Sequence, residues 1–163
     1  MIEVKVSGLG RYLPTGQWLL LLKEERTTRY LAIVISLADA QAIGLRLAKT
    51  RSRRPLTHNL IQNLIETLGG KISCVCLDHV LSDGRLCAQI VVVMRGRRLG
   101  VDCCPGDAVV LALQASVPIY VEEAVMSEKG TVLQNQHQRV SPEEKKKLAP
   151  FAEFVNGLDL DGL

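Results

Sequence analysis

The amino-acid sequence predicts a mixed α+β domain, in which a largely antiparallel mixed sheet is packed by about three helices and followed by a C-terminal helical tail. Two long apolar stretches flank Asp83-Gly84, a dipeptide typical of tight hairpins because glycine adopts positive φ at little cost. Several other segments are short, apolar and β-branched, as strands are, and three segments repeat their apolar residues at helical spacing. The hairpin argues against an all-parallel sheet.

The first half of the chain is predicted to contain three strands and then two helices. The strand segments alternate in polarity or are rich in β-branched residues, and they are residues 2–9, 17–24 and 29–35. Turn residues within 9–16 are expected to end the first strand. The helical segments are residues 38–50 and the stretch from Pro55 to Leu68, which Gly69-Gly70 is expected to stop.

The second half is predicted to alternate between strands and helices. Strands are expected at residues 71–81, 85–94 and 99–103, a helix at 105–116, an extended segment at 118–121 and a short helix at 122–129. Residues 1–130 are therefore assigned to one domain, 131–140 to a polar loop and 141–163 to a helical tail. The tail carries an apolar stripe, which must cover either its own domain or a neighbouring subunit.

Composition places the chain among ordinary globular proteins. A length of 163 residues and a hydrophobic fraction of 47% suit one domain with a sizeable core. The N-terminal residues alternate like a strand and lack the apolar core of a signal peptide, so we expect a cytoplasmic protein. Five cysteines, an odd number, are expected to stay reduced and not to form a disulfide framework.

Two motifs place a proline and polar side chains where an apolar helical pattern begins. They are Arg54-Pro-Leu-Thr-His58 and Asp102-Cys-Cys-Pro-Gly-Asp107. Proline is tolerated in the first helical turn, and the unpaired amides there favour anions such as phosphate. His58, Asp102 and Asp107 are therefore candidate catalytic residues. The alternative is that such first-turn residues only cap their helices and balance the partial positive charge of the helix N-terminus.

The chemistry of these residue types suits phosphodiester cleavage, which needs an activated nucleophile, stabilisation of negative charge and a proton for the leaving oxygen. His58 can act as general acid or base near neutral pH. Asp102 and Asp107 can orient it or hold a divalent cation such as Mg²⁺, which prefers oxygen ligands. No motif identifies a metal ligand. The sequence therefore leaves open whether the chain binds a cofactor.

Basic residues are concentrated just before the first motif, at Arg46, Lys49, Arg51, Arg53 and Arg54. A basic patch beside a helix start attracts a phosphate backbone, so Arg51, Arg53 and Arg54 are predicted to bind substrate together with Thr57. The net charge is only +3, and the chain is not broadly basic. Because aromatic residues make up 4% of the chain, any nucleic-acid binding is expected to be backbone-directed and salt-sensitive.

The motifs, in this order, resemble the bifunctional nuclease domain family. The resemblance rests on Arg54-Pro-Leu-Thr-His58, Asp102-x-x-Pro-x-Asp-Ala108 and Val117-Pro-Ile-Tyr-Val121, with Tyr30-Leu-Ala-Ile-Val-Ile35 and Asp39-Ala-Gln-Ala-Ile43 upstream, and it covers about residues 2 to 127. Family members are described as cutting both DNA and RNA. The resemblance therefore implies a nuclease with little sequence preference, whose partners are nucleic acids.

The chain departs from the family pattern at four positions. Cys104 stands where an arginine is usual, Gly106 replaces a serine, Asn59 replaces an aspartate, and Asp39 replaces the longer glutamate. A cysteine cannot imitate the bidentate phosphate clamp of an arginine. Besides a nuclease, a non-catalytic nucleic-acid-binding module and a protein-interaction or ligand-binding domain therefore stay open. The apolar tail suggests a homo-oligomer, and no membrane association is expected.

Overall fold

A computed structural model describes residues 1–12, 14–50 and 57–132. These residues form one eight-stranded, mostly antiparallel sheet with four helices, which confirms the predicted α+β class. The strands are β1 (Ile2–Tyr12), β2 (Gln17–Glu24), β3 (Arg29–Ile35), β4 (Gly70–Val80), β5 (Leu86–Met94), β6 (Arg97–Cys103), β7 (Ile119–Val121) and β8 (Thr131–Val132). The helices are α1 (Leu37–Leu47), α2 (Thr57–Thr67), α3 (Pro105–Ala115) and α4 (Glu123–Lys129).

Two stretches to which predictions were attached lie outside the described residues. The first two residues of the predicted polar loop 131–140 form the short strand β8, because they pair with β3. The rest of that loop and the predicted tail at 141–163 lie outside the described residues, so these assignments remain predictions. The same holds for Arg51, Arg53 and Arg54 between α1 and α2. Within the described ranges, no helix is long and apolar enough to cross a lipid bilayer.

The strands are arranged in the order β6-β5-β4-β7-β1-β2-β3-β8. Neighbours are antiparallel except β4 and β7, which are parallel and set Val75 opposite Ile119. The hairpin predicted at Asp83-Gly84 is confirmed, since Gly84 has φ +83° and β4 pairs with β5 along its length. Strand β1 continues past its predicted end because Tyr12 still pairs with Gln17 of β2 before the turn.

Helix α3 forms the centre of the core. Residues 108–112 of this helix are each no more than 1% exposed, as expected for a helix that is apolar on nearly every side. It contacts β3 as well as β4 and β5, although these strands lie towards opposite ends of the sheet. The sheet therefore curves around α3, while α1 and α2 pack on the helix as well. We call the face of the sheet turned towards α3 the inner face and the opposite one the outer face.

Helices α1 and α3 lie side by side and parallel, because contacts fix both of their ends. At the N-terminal ends, the Asp39 carboxylate lies against Gly106. At the C-terminal ends, Arg46 donates hydrogen bonds to the carbonyl oxygens of Leu113 (2.9 Å) and Gln114 (3.1 Å). A cation is favourable at a helix C-terminus, so Arg46, one of the basic residues noted in the sequence, also stabilises the packing of α1 on α3. This alignment brings two helix starts to one place.

Candidate functional site

The N-termini of α1, α2 and α3 meet at one point. Asp39 is the third residue of α1, His58 the second of α2 and Asp107 the third of α3. Their nitrogen and oxygen atoms that could act as ligands lie within 4.8 Å of one another. Because each helix N-terminus carries partial positive charge, carboxylates are favoured there. We call Asp39, His58 and Asp107 the helix-start cluster.

Both carboxylates of the cluster approach the same ring nitrogen. His58 Nε2 lies 2.9 Å from Asp107 Oδ1 and 3.6 Å from Asp39 Oδ1. An ionised carboxylate can only accept a hydrogen bond, so Nε2 carries a hydrogen and donates it to Asp107. The side chains of His58 and Asp39 are 9% and 12% exposed, whereas that of Asp107 is 43% exposed. The cluster is thus accessible to solvent mainly from the side of Asp107.

Asp39 is held in place by the residue that begins its helix. Ser36 Oγ donates to Asp39 Oδ2 over 2.7 Å, and the Ser36 backbone N–H donates to the same oxygen over 3.3 Å. The Asp39 N–H donates to Ser36 Oγ over 3.1 Å in return, which completes a capping box. Since Oδ2 is occupied in this way, Oδ1 is the oxygen that faces His58.

Replacing Gly106 by alanine is expected to destabilise the fold by about 1–3 kcal/mol. A Cβ atom at this position would lie 2.5 Å from Asp39 Oδ2, an oxygen that Ser36 already fixes. The carboxylate or α3 would have to move. The midpoint of urea unfolding measures the change.

The matched control for this substitution is Gly44→Ala in the interior of α1. A Cβ there meets only Leu9 Cδ2, at 3.8 Å. It should be neutral or stabilising by about 0.5–1 kcal/mol, because alanine favours helix more than glycine does. Equal unfolding midpoints for the two variants would contradict the close packing of Asp39 on Gly106.

The arrangement fits a divalent cation better than a proton relay. In a relay, the orienting carboxylate binds one ring nitrogen and leaves the other for the reacting group. A relay needs only one such carboxylate, whereas here Asp39 and Asp107 both approach Nε2. Ligand atoms about 2.1 Å from one cation lie about 3.0–3.4 Å apart, close to the separations seen at His58 Nε2. One imidazole with two carboxylates suits Mn²⁺ or Zn²⁺, whereas Mg²⁺ prefers oxygen ligands alone.

A hollow of about 640 Å³ lies beside the cluster. It is lined by Thr57, His58 and one face of α1 that runs from Ala38 to Leu45. Thr57 is the exposed first residue of α2, so its predicted place next to a substrate remains open to test. The other predicted substrate-binding residues, Arg51, Arg53 and Arg54, lie outside the described residues.

Asp102, predicted to act with His58 and Asp107, does not join them. It pairs with Gln89 of β5, whereas the next residue, Cys103, pairs with the buried Ala88. Since paired residues of neighbouring strands share a face, Cys103 lies on the inner face and the exposed Asp102 on the outer face. Strand alternation thus turns the Asp102 side chain away from α3.

Asp39 takes the place in the cluster that the prediction gave to Asp102. Two signals in the sequence pointed to it: the capping-box spacing of Ser36 and Asp39, and the acidic residue that the family resemblance leads one to expect there. Neither signal showed that the start of α1 would lie against the start of α3.

Cys103, next to the cluster, is placed as a half-buried thiol and not as a nucleophile. Burial raises the pKa of the Cys103 thiol to about 12, with nearby Asp107 contributing next, so this thiol stays protonated at neutral pH. Cys103 instead donates a weak hydrogen bond to the Ala88 carbonyl oxygen over 3.7 Å. Cys104 begins α3 without a side-chain cap. A space-filling role for Cys103 agrees with this placement.

Comparison with known proteins relates most of the chain to one family. Residues 20–134 match the bifunctional nuclease domain, a range that contains all three cluster residues. Two uncharacterized proteins of Mycobacterium tuberculosis, Rv1829 of strain ATCC 25618 / H37Rv and MT1877 of strain CDC 1551 / Oshkosh, are similar to the chain. Each is 34% identical over 163 residues, which cover 99% of this chain and 97% of the relative.

Proposed function

The chain belongs to the bifunctional nuclease domain family, and on that premise we propose that it hydrolyses phosphodiester bonds of DNA and RNA at the helix-start cluster. The observation that carries this proposal is the convergence of His58 Nε2 with carboxylate oxygens of Asp107 and Asp39, at 2.9 and 3.6 Å, where three helix N-termini meet. An imidazole and two carboxylates at one solvent-accessible point can hold a divalent cation of the kind that metal-assisted hydrolysis uses.

Asp39, His58 and Asp107 would hold one divalent cation after His58 Nε2 loses its hydrogen. When bound, such a cation stabilises negative charge on phosphate oxygens and lowers the pKa of a coordinated water. Asp39 needs no rearrangement for this role, because Ser36 and Gly106 already fix its carboxylate. Asp107 is the most exposed of the three and marks the side from which a phosphate can approach.

The start of α3 adds a place for negative charge. Cys104 gives this helix no side-chain cap, and Pro105 has no N–H. The amides of Gly106 and Asp107 therefore lack acceptors within the helix, and they carry the partial positive charge of its N-terminus. This feature supports contact with the sugar–phosphate backbone and not with the bases, in line with little sequence preference.

The test is cleavage of fluorescent single-stranded DNA and RNA by the purified full-length chain. After treatment with EDTA the chain should not cleave, and Mn²⁺ or Zn²⁺ should restore cleavage better than Mg²⁺ does. Asp107→Asn should lower the restored rate by about 10²-fold or more, because an amide is a poorer ligand than a carboxylate. The matched control is Asp78→Asn, which changes another Asp–His pair, Asp78 with His79, also at 2.9 Å.

The alternative function, nucleic-acid binding without cleavage, gives a different result in the same experiment. Cys104 supplies no guanidinium beside the cluster, which is the observation in favour of this alternative. In that case no cation restores cleavage, but the chain still retards the oligonucleotides, and its affinity falls steeply as salt rises. That outcome would overturn hydrolysis.

A further inference from the structure

Two cysteines, Cys87 and Cys104, face each other across the end of the β5–β6 ladder. The two strands pair without a shift of register, and the pair at this end of the ladder is Ala88 with Cys103. Cys104 follows with φ −71° and ψ 146°, so its backbone is still extended. The next position of the ladder therefore sets Cys104 opposite Cys87.

The side chains of both cysteines lie on the outer face of the sheet. Ala88 is buried, and Cys103 lies with it on the inner face. Because successive side chains of a strand alternate between faces, Cys87 and Cys104 both point to the outer face. Cys87 is half-buried and Cys104 is exposed, and both thiols are free. A small oxidant can therefore reach this pair from solvent.

The turn between β5 and β6 fixes how closely the two cysteines approach. Arg95 and Gly96 have φ +50° and +73°, as in a two-residue type I′ hairpin, so the flanking Met94 and Arg97 form a hydrogen-bonded pair. Hydrogen-bonded and non-hydrogen-bonded pairs alternate along the ladder. Cys104 lies an odd number of positions from Arg97 and is at a non-hydrogen-bonded position, where facing Cα atoms are about 4.5 Å apart. A disulfide spans Cα separations of about 4.4–6.8 Å, so the pair is within range.

We propose that Cys87 and Cys104 form a reversible disulfide when the chain meets a peroxide. The sulfur of the more exposed Cys104 attacks one peroxide oxygen, the O–O bond breaks, water leaves and Cys104 becomes a sulfenic acid. The Cys87 sulfur then attacks the Cys104 sulfur. An S–S bond forms, the S–O bond breaks, and the leaving oxygen departs as a second water with the Cys87 thiol proton. Two thiols are oxidised and one peroxide is reduced, and a dithiol reductant reverses the link.

Two other cysteines lie near this pair but are less well placed. Cys103 is next to Cys104 in sequence but lies on the inner face, and burial raises the pKa of its thiol to about 12. Cys76 pairs with Gln89, two residues along β5 from Cys87, and burial raises the pKa of its thiol to about 11. Diagonal neighbours of this kind are farther apart than directly facing residues. The geometry thus selects one pair.

Arg85 brings a positive charge close to both members of the pair. The pKa of its guanidinium is raised mainly by a hydrogen bond to the Asp83 carboxylate, at 2.6 Å, and Cys87 and Cys104 contribute to the same increase. Both sulfurs therefore lie within electrostatic reach of one guanidinium. A positive charge at this place stabilises the negative charge that develops on sulfur and oxygen during oxidation.

The disulfide joins the start of α3 to the sheet. Cys104 begins this helix, and Asp107 of the helix-start cluster is its third residue. A link from Cys104 to Cys87 also restricts the unfolded chain, which raises the stability of the folded state. Oxidation is therefore expected to stabilise the fold and to hold in place the segment that carries Asp107.

Peptide mapping of the purified full-length chain tests the proposed pair. After treatment with hydrogen peroxide, denaturation and alkylation, mass spectrometry should find Cys87 linked to Cys104, with Cys74, Cys76 and Cys103 alkylated. The midpoint of urea unfolding should rise on oxidation and return to its reduced value after dithiothreitol. Cys87→Ser should abolish the link and the rise, and it should leave Cys104 as a sulfenic acid that dimedone traps.

The matched control is Cys76→Ser, which removes the neighbouring thiol of the outer face and should leave the Cys87–Cys104 link intact. Urea unfolding of each reduced variant confirms that it is folded. A Cys103–Cys104 link, a link to Cys76, a link between two chains or a wild-type chain without any disulfide would each overturn the proposed pair. An unfolding midpoint that does not rise on oxidation would overturn the stabilisation of α3. None of these results depends on whether the chain cleaves nucleic acid.

Discussion

Replacing His58 by alanine is expected to reduce cleavage of DNA and RNA by about 10²- to 10⁴-fold, with the chain still folded. The imidazole is the group that Asp39 and Asp107 share, and its loss leaves two carboxylates facing each other. Two such groups without a nitrogen ligand hold a cation less well, and carboxylates without a cation repel an approaching phosphate. Initial rates on fluorescent DNA and RNA in the presence of Mn²⁺ measure the change.

The matched control is His79→Ala in β4. The side chain of His79 is 56% exposed and lies 2.9 Å from Asp78, so the substitution removes a similar pair at a place remote in sequence from the cluster. Its cleavage rate should equal that of the wild type. If the His58→Ala chain unfolds at the same urea concentration as the wild type and also cleaves at the wild-type rate, the cluster has no catalytic role.

Replacing Leu111 by alanine is expected to lower the free energy of unfolding by about 2–5 kcal/mol. Leu111 is 1% exposed in the centre of α3, the helix around which the sheet curves. Shortening it leaves a cavity between helix and sheet, and the surroundings close such cavities only in part. Since α3 also carries Asp107, the same change should weaken the cluster. Urea unfolding monitored by circular dichroism gives the free energy directly.

Leu37→Ala is the control for this prediction. Leu37 also lies in a helix but is 54% exposed, so its loss should cost no more than about 0.5 kcal/mol. If Leu111→Ala were no more destabilising than Leu37→Ala, α3 could not be the centre of the core.

Two of the departures from the family pattern meet at one contact. Asp39 stands where a glutamate is usual and Gly106 where a serine is usual, and the structure places the Asp39 carboxylate on Gly106. A side chain at position 106 would occupy the space that this carboxylate fills. The two residues therefore form one packed unit, and we expect substitutions at the two positions to be non-additive.

Much of the fold could be predicted from the sequence because its signals are local. The Asp83-Gly84 hairpin, the stop at Gly69-Gly70 and the proline that begins α3 each act through the φ or the missing N–H of one or two residues. The apolar run that follows Pro105 correctly predicted a helix. The predicted bounds of β1 and β6 were too short, because ladder pairing extends strands past residues whose own preferences favour turns.

The composition of the candidate site was predictable only in part. His58 and Asp107 were recognised by their place in first helical turns, and the structure brings them to 2.9 Å. Asp39 was absent from the predicted site, because its approach to His58 depends on α1 lying parallel to α3. Asp102 was included, although the alternation of β6 turns it to the outer face.

The sequence by itself determined which segments form helices and strands, since caps, turns and side-chain periodicity depend on neighbours a few residues apart. Only the tertiary structure decided which of the three helix starts share a point and which carboxylates face His58. Those contacts join residues far apart in the chain, and they depend on packing around α3 and on strand register, which no short stretch of sequence contains.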